Sequence, residues 1–191
     1  LGHAAADRLA HVALVEPDTH TASEDGLSPR FAPVIGIEVG EKEIGRILGT
    51  SRGSVDLDTL VDTAPFSEAR TMAALDELVD AGVVAEQRQG ELERFELSHA
   101  RFRDLLLDGV DAETLRERHR RLGEVLERRY RERPHEVVEA LAWHFEQGGL
   151  PPKAYAYLAE TGWKHIRRGL HEEGLAYIDR ALRLEPAARP H

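Results

Sequence analysis

Residues able to carry chemistry are sparse in this chain, and their spacing excludes most catalytic arrangements. No G-x-x-x-x-G-K-[ST] loop is present: Gly45, Gly49 and Gly53 stand apart, and no Lys follows them to reach a phosphate. There is no H-E-x-x-H run and no pair of His at i and i+4. His171-Glu172-Glu173 lacks a second His and reads as an exposed helix start. No G-x-S-x-G elbow occurs. Carboxylates are plentiful but lie among Arg residues, where i,i+4 pairing on helix faces is the expected use. The expectation is a non-enzyme that holds no metal and no cofactor within this chain.

Three sets of side chains remain as candidates for binding. His99 follows a β-rich run and opens a helix. A ring N–H there adds a donor where the helix dipole already favours anions; the alternative is a His that caps or packs between strand and helix. Arg116, Arg118, Arg120 and Arg121 form a basic row. It reads either as a contact surface for an acidic partner or neighbouring domain, or as a solvated face whose stems cover the edges of an apolar stripe. Trp143, Tyr155, Tyr157, Trp163 and Tyr177 suit either a peptide groove or a helical core.

The elements that must position these residues follow from periodicity and stop signals. Residues 3–15 are rich in helix formers and precede Pro17; 18–33 are polar with Gly26, Pro29 and Pro33, a linker or arm. Val34 to Val39 is β-rich but short. Ile44, Ile47 and Leu48 share one face of a short helix from Glu41. Asp56 is a good N-cap for a helix over 57–62. Pro65 and Ser67 open the next, with Met72, Leu75, Leu78 and Val79 as its apolar stripe and Gly82 as its stop. Val83-Val84-Ala85 and Phe95-Glu96-Leu97 are hairpin arms around a polar tip at Gly90. Ser98 is placed to cap a helix over 99–107.

A long helix is expected from about Ala112 to Arg131, with Leu115, Leu122, Val125, Leu126 and Tyr130 inward. Pro134 breaks it, and a helix over 135–147 buries Val138, Leu141, Ala142 and Phe145. A final helical pair spans 153–167 and 170–184 around Gly169. The expected organisation is an unassigned segment over 1–40, a hairpin-bearing domain over 41–107 and a helical arm over 108–191.

Composition bounds the function. With 41% apolar residues the chain has material for a core. It has no Cys and no apolar run long enough for a membrane span, which fits a cytoplasmic location and no membrane partner. A start at Leu1-Gly2-His3, without Met or a basic n-region, reads as a fragment of a longer polypeptide rather than a secretory signal. Net charge is −10. Residues 31–98 hold 6 Lys and Arg against 14 Asp and Glu, a poor surface to lay on a duplex. The helix over 67–81 exposes Glu68, Arg70, Asp76, Glu77 and Asp80, whereas a DNA reader usually presents several Lys, Arg, Asn or Gln. It reads as repurposed for protein contacts, so DNA is not the expected partner.

A helix running into a two-stranded ribbon matches the second half of a winged-helix domain. The run F-x-x-S-H-A-x-x-R-D-L-L from Phe95, followed by R-x-R-H-R-R-L from Arg116, resembles the winged-helix and arm regions of the STAND class of signalling ATPases. That class includes large LuxR-like bacterial transcription regulators with tetratricopeptide (TPR) tails. The last pair is similar to a TPR unit: Gly162, Gly174, Ile178, Ala181 and Pro186 fall at its small, small, apolar, small and Pro positions. Leu158, Thr161 and His165 depart from the Trp, Leu and Tyr usual there. In STAND proteins of the plant-resistance and apoptosome type a Met-His-Asp motif follows the wing, and its His reaches the phosphates of ADP on the ATPase domain. Here Leu97-Ser98-His99-Ala100 keeps the His alone.

The resemblance implies a mainly α fold, a winged-helix domain with a small β-hairpin followed by an antiparallel TPR-like array. It implies a non-catalytic regulatory segment that relays partner binding to an ATPase domain in signal transduction. His99 would sense a nucleotide, and ATP or ADP would enter only through that neighbouring domain. Two alternatives stand: a standalone winged-helix DNA-binding regulator, and a TPR-type peptide-binding adaptor.

Overall fold

The computed structural model describes residues 38–89 and 92–188, all within one packed unit. The expectations for residues 1–37, including a helix over 3–15 and most of a strand over 34–39, lie outside the described residues, as does the hairpin tip at Gly90. Val39 itself begins a helix.

That helix, α1 (Val39–Thr50), buries Ile44, Ile47 and Leu48 as their spacing requires. A two-residue strand, β1 (Val55–Asp56), leads into α2 (Leu57–Thr63). Asp56 caps α2 by accepting from the Thr59 amide at 2.8 Å. Helix α3 (Glu68–Asp80) ends at Gly82, which takes φ 69. There the Gly82 and Val83 amides donate to the Val79 and Leu78 carbonyls, a Schellman turn that satisfies the last free acceptors and aims the chain into the hairpin.

The hairpin pairs β2 (Val84–Gln89) with β3 (Leu92–Leu97) in antiparallel register, Val84 opposite Leu97 and Glu86 opposite Phe95. Strand β1 joins the other edge of β3, giving the order β1-β3-β2. Helix α4 (Ala100–Leu107) then folds back on α1. A Cβ at Gly45 would meet Leu106 Cδ2 at 2.9 Å, so glycine sets how closely these helices approach. Arg46 and Arg103 tie them further, donating to the Leu106 and Ser51 carbonyls at 3.0 and 2.8 Å.

The rest is helical. The long α5 (Ala112–Arg129) is capped by Asp111, and a 3-10 turn at Pro134–Glu136 separates it from α6 (Val138–Gln147). α7 (Pro151–Arg167) and α8 (His171–Ala188) form the closing antiparallel pair. Leu126, Leu141, Ala142, Phe145, Ala154, Leu158 and Ala181 build the core of this half. α5 also packs on α1 and α2, so both halves share it. The described residues are therefore mainly α, with one small three-stranded antiparallel sheet.

Two local expectations are corrected. In α3 the buried stripe is Thr71, Ala74, Leu75 and Leu78; Met72 is 42% exposed and Val79 only half-buried. The stripe that faces α1 therefore includes Thr71 and Ala74 and leaves Met72 outside it; Gly40 of α1 lies beside Ala74 there. At α4 the cap is His99, not Ser98; the Ser98 hydroxyl donates to the Val83 carbonyl at 3.1 Å and holds the base of the hairpin.

The closest backbone approach is between α7 and α8. A Cβ at Gly174 would lie 2.8 Å from the Gly162 carbonyl oxygen and 3.1 Å from the Ile166 nitrogen. Gly174→Ala is expected to push these helices apart and to cost about 1–3 kcal/mol, read as a lower midpoint in chemical denaturation. An unchanged midpoint would show that the pair has slack that this packing does not suggest.

Candidate functional site

Side chains that reach between the hairpin half and the helical half converge along α5, and this junction is the candidate site. At its N-terminal end Arg118 forks onto Glu43 of α1, with Nη2 donating to Oε2 at 2.8 Å. Both side chains are largely withdrawn from solvent, 17% and 22% exposed, and bidentate geometry of this kind is the strong form of an ion pair. At the C-terminal end Arg129 meets Asp58 and Asp62 of α2, and Tyr130 donates to Asp56 Oδ2 at 3.1 Å. Burial raises the Tyr130 phenol above its usual range, with the Asp56 charge acting the same way.

The four Arg residues singled out by sequence divide by duty. Arg118 serves the contact just described. Arg120 caps the next helix, donating from Nε to the Gly148 carbonyl at 2.6 Å, where cationic groups favourably meet the negative end of a helix. Arg116 pairs with Glu113 at 2.9 Å in solvent. Arg121 lies on the groove wall, its Nη2 3.5 Å from the Ala64 carbonyl. The groove measures about 570 Å³ and is lined by Glu43, Ile47, Pro65, Arg118, Arg121 and Leu122, among others.

His99 is exposed at the start of α4, and its Nδ1 accepts the Arg101 amide at 3.0 Å. That bond places the ring hydrogen of the neutral form on Nε2. Of the five aromatic residues, Tyr157 stacks on Phe145 at 5.6 Å and donates to Glu127, and Tyr177 lies against His165. Tyr155 packs on the helical core, and Trp143 is half-buried. Trp163 alone of the five is fully on the surface, 56% exposed.

One constellation had no signal in the sequence. His119 of α5 and His144 of α6 are both buried, with their Nδ1 atoms 3.1 Å apart. The His119 ring meets the edge of Trp143, and the Arg52 guanidinium, from the loop after α1, lies over that indole at 3.7 Å. Such a cation–aromatic contact adds a further tie between the halves. The two His lie 25 residues apart on different helices, so only folding brings them together. Among the described residues no group of three or more His, Asp or Glu converges in a metal-binding arrangement. None of the helices there is long and apolar enough to cross a membrane.

With this geometry in place, comparison with known proteins gives no match: no family model, no curated protein and no solved structure aligns significantly with the chain.

The buried pair makes stability depend on pH. Burial lowers His119 to about 4 and, with the neighbouring His119 charge second, His144 to about 3. The unfolded chain takes up protons near pH 6.5, before the folded one does. Stability is therefore full above about pH 6.5 and declines as pH falls towards 4, by a few kcal/mol in total. His144→Gln should flatten that decline in thermal melts between pH 7 and 4; an equally steep decline in the variant would place the dependence elsewhere.

Proposed function

We propose that this chain is a non-catalytic regulatory segment of a larger STAND-type ATPase or LuxR-like transcription regulator, relaying partner binding to an ATPase domain. The observation that carries the reading is α5: one helix clamped to the hairpin half through Glu43, Asp56 and Asp62, and to the helical half through Gly148 and the His119–His144 contact. A partner that shifts the helical half also shifts the hairpin half, because α5 moves as one rod. In this reading residues 41–107 are a winged-helix domain that packs on the ATPase domain, and α5–α8 are a TPR-like arm. Binding acts as a population shift, so the partner must prefer one of two states.

His99 serves as the nucleotide sensor in this reading. It stands at the N-terminus of α4, its Nδ1 accepting the Arg101 amide, at a helix end that favours a phosphate brought by the neighbouring domain. Protein partners are favoured over DNA, since α3 turns Glu68, Asp76, Glu77 and Asp80 to solvent.

The direct test is the mass of the native polypeptide, by immunoblot of source-cell lysate. A band far above the mass of 191 residues supports the reading; a band at that mass overturns it. In the longer polypeptide His99→Ala should release bound ADP faster, by roughly 10-fold if one charge-assisted bond is lost. Unchanged nucleotide exchange would sink the sensor role while leaving the relay intact.

A further inference from the structure

Carboxylates and Arg side chains share the wall of the groove between α1, the α2–α3 turn and α5, and their pairing is uneven. Every carboxylate there is already engaged. Glu43 is held by the Arg118 fork. Asp111 accepts from the Thr114 hydroxyl and from the amides that it caps. Glu113 pairs with Arg116 at 2.9 Å and Glu117 with Arg120 at 3.3 Å. Of the two Arg on the wall, Arg118 is neutralised by Glu43, whereas Arg121 meets no carboxylate among the described residues.

Arg121 also passes over the partners nearest to it. Glu117 lies one turn before it and Glu124 one turn after, the spacings at which helical ion pairs usually form. Its guanidinium reaches instead toward the α2–α3 turn, where Nη2 stands 3.5 Å from the Ala64 carbonyl. That is beyond the usual length of an N–H···O bond. Most of the fork is therefore left without a protein acceptor, on the wall of a concave space.

The space suits a small molecule. The groove holds about 570 Å³, within the roughly 300–1,000 Å³ of small-ligand sites. Pro65 and the stems of Arg118 and Arg121 give it an apolar wall above Ile47 and Leu122. Its sides belong to different parts of the fold, Ile47 to α1 and Leu122 to α5.

We infer that this groove binds a small monocarboxylic acid with an apolar body, its carboxylate on the Arg121 guanidinium and its hydrocarbon part against Pro65. Arg meets a carboxylate through two parallel N–H···O bonds, which fix orientation as well as charge. Asp111, Glu113 and Glu117 repel a second negative charge, so phosphate and dicarboxylates are disfavoured. An amine finds each of those carboxylates already engaged. A bound acid touches α1, the α2–α3 turn and α5 together, and so favours one setting of α5 against the hairpin half. The inference deepens the proposed function by naming the class of signal that bears on α5; it rests on that reading for the relay and not for the binding.

The test is a titration of the isotope-labelled full chain with phenylbutyrate, followed by amide and Arg Nε–H chemical shifts. Expected are saturable shifts confined to 43–47, 63–66 and 111–122, with a Kd of about 1 mM. The neutral phenylbutanamide should bind about tenfold more weakly to the unaltered chain, and Arg121→Gln should lose about as much for the acid. Arg121→Lys should recover part of that loss, keeping the charge without the fork. Arg167→Gln removes the same charge from the end of α7 and should leave affinity unchanged. Absence of saturable shifts, equal affinity for the amide, for phenylbutylamine or for acetate, or an equal loss in Arg167→Gln would each overturn the inference. Displacement by equimolar inorganic phosphate would reduce the groove to a general anion patch and overturn it too. An inert groove in a native polypeptide far longer than this chain overturns this inference alone. A groove that binds in a native polypeptide of this chain's mass sustains it and overturns the relay to an ATPase domain.

Discussion

The arrangement of both halves depends on one buried carboxylate. Asp56 is 6% exposed, and a charge so withdrawn is tolerated only if donors surround it. They do: the Thr59 amide and hydroxyl come from α2, the Tyr130 hydroxyl from the end of α5, and Arg129 stands at 3.9 Å. The Asp56 backbone meanwhile pairs with Arg94 in β3. A strand, a helix start and the long α5 are thus fixed by one side chain. Arg118 on Glu43 supplies a second anchor three turns earlier on α5, and two fixed points on a rod set its direction as well as its position.

The character of the ties differs between the two sides of α5. Toward the hairpin half they are ionic: Arg118–Glu43 and the contacts to Asp56 are largely withdrawn from solvent, whereas the Arg128–Asp62 and Arg129–Asp58 pairs are wetter and contribute little alone. Their value is geometric: forked or multiple contacts restrict angle. Toward α6 the tie is apolar packing around Leu126 with a neutral His pair, which tolerates little change in volume.

Much of this architecture was legible because its signals are local. Ile44, Ile47 and Leu48 repeat at helical spacing, Asp56 announces a cap, Gly82 and Gly169 end helices, and the β-prone arms of the hairpin flank a polar tip. What was not legible depended on distant neighbours. The stripe of α3 runs through Thr71, Ala74, Leu75 and Leu78, and which flank of Leu75 and Leu78 meets α1 is not recorded within α3 itself. The Arg row looked uniform, yet Arg118 finds Glu43 at a separation of 75 residues while Arg116 finds Glu113 three residues away. His119 and His144 are unremarkable singly and become a pair only when α5 meets α6. His99 was readable as opening a helix, with a capping ring as one of two readings; the backbone shows that its Nδ1 does cap that helix.

The two-residue strand β1 carries a consequence for how the chain acquires its shape. Val55 finds its partner only at Phe95, whereas α5, α6 and α7 each pack on the helix that follows in sequence. Closing a loop of that length must precede any reward from β1–β3 pairing, while sequential helices gain contacts as each forms. The helical half therefore has the topology of a fast, stepwise assembler and the hairpin half that of a unit completed all at once. During synthesis the Thr59 donors reach Asp56 at once, whereas Tyr130 and Arg129 arrive more than 70 residues later, so the buried carboxylate is satisfied in two stages.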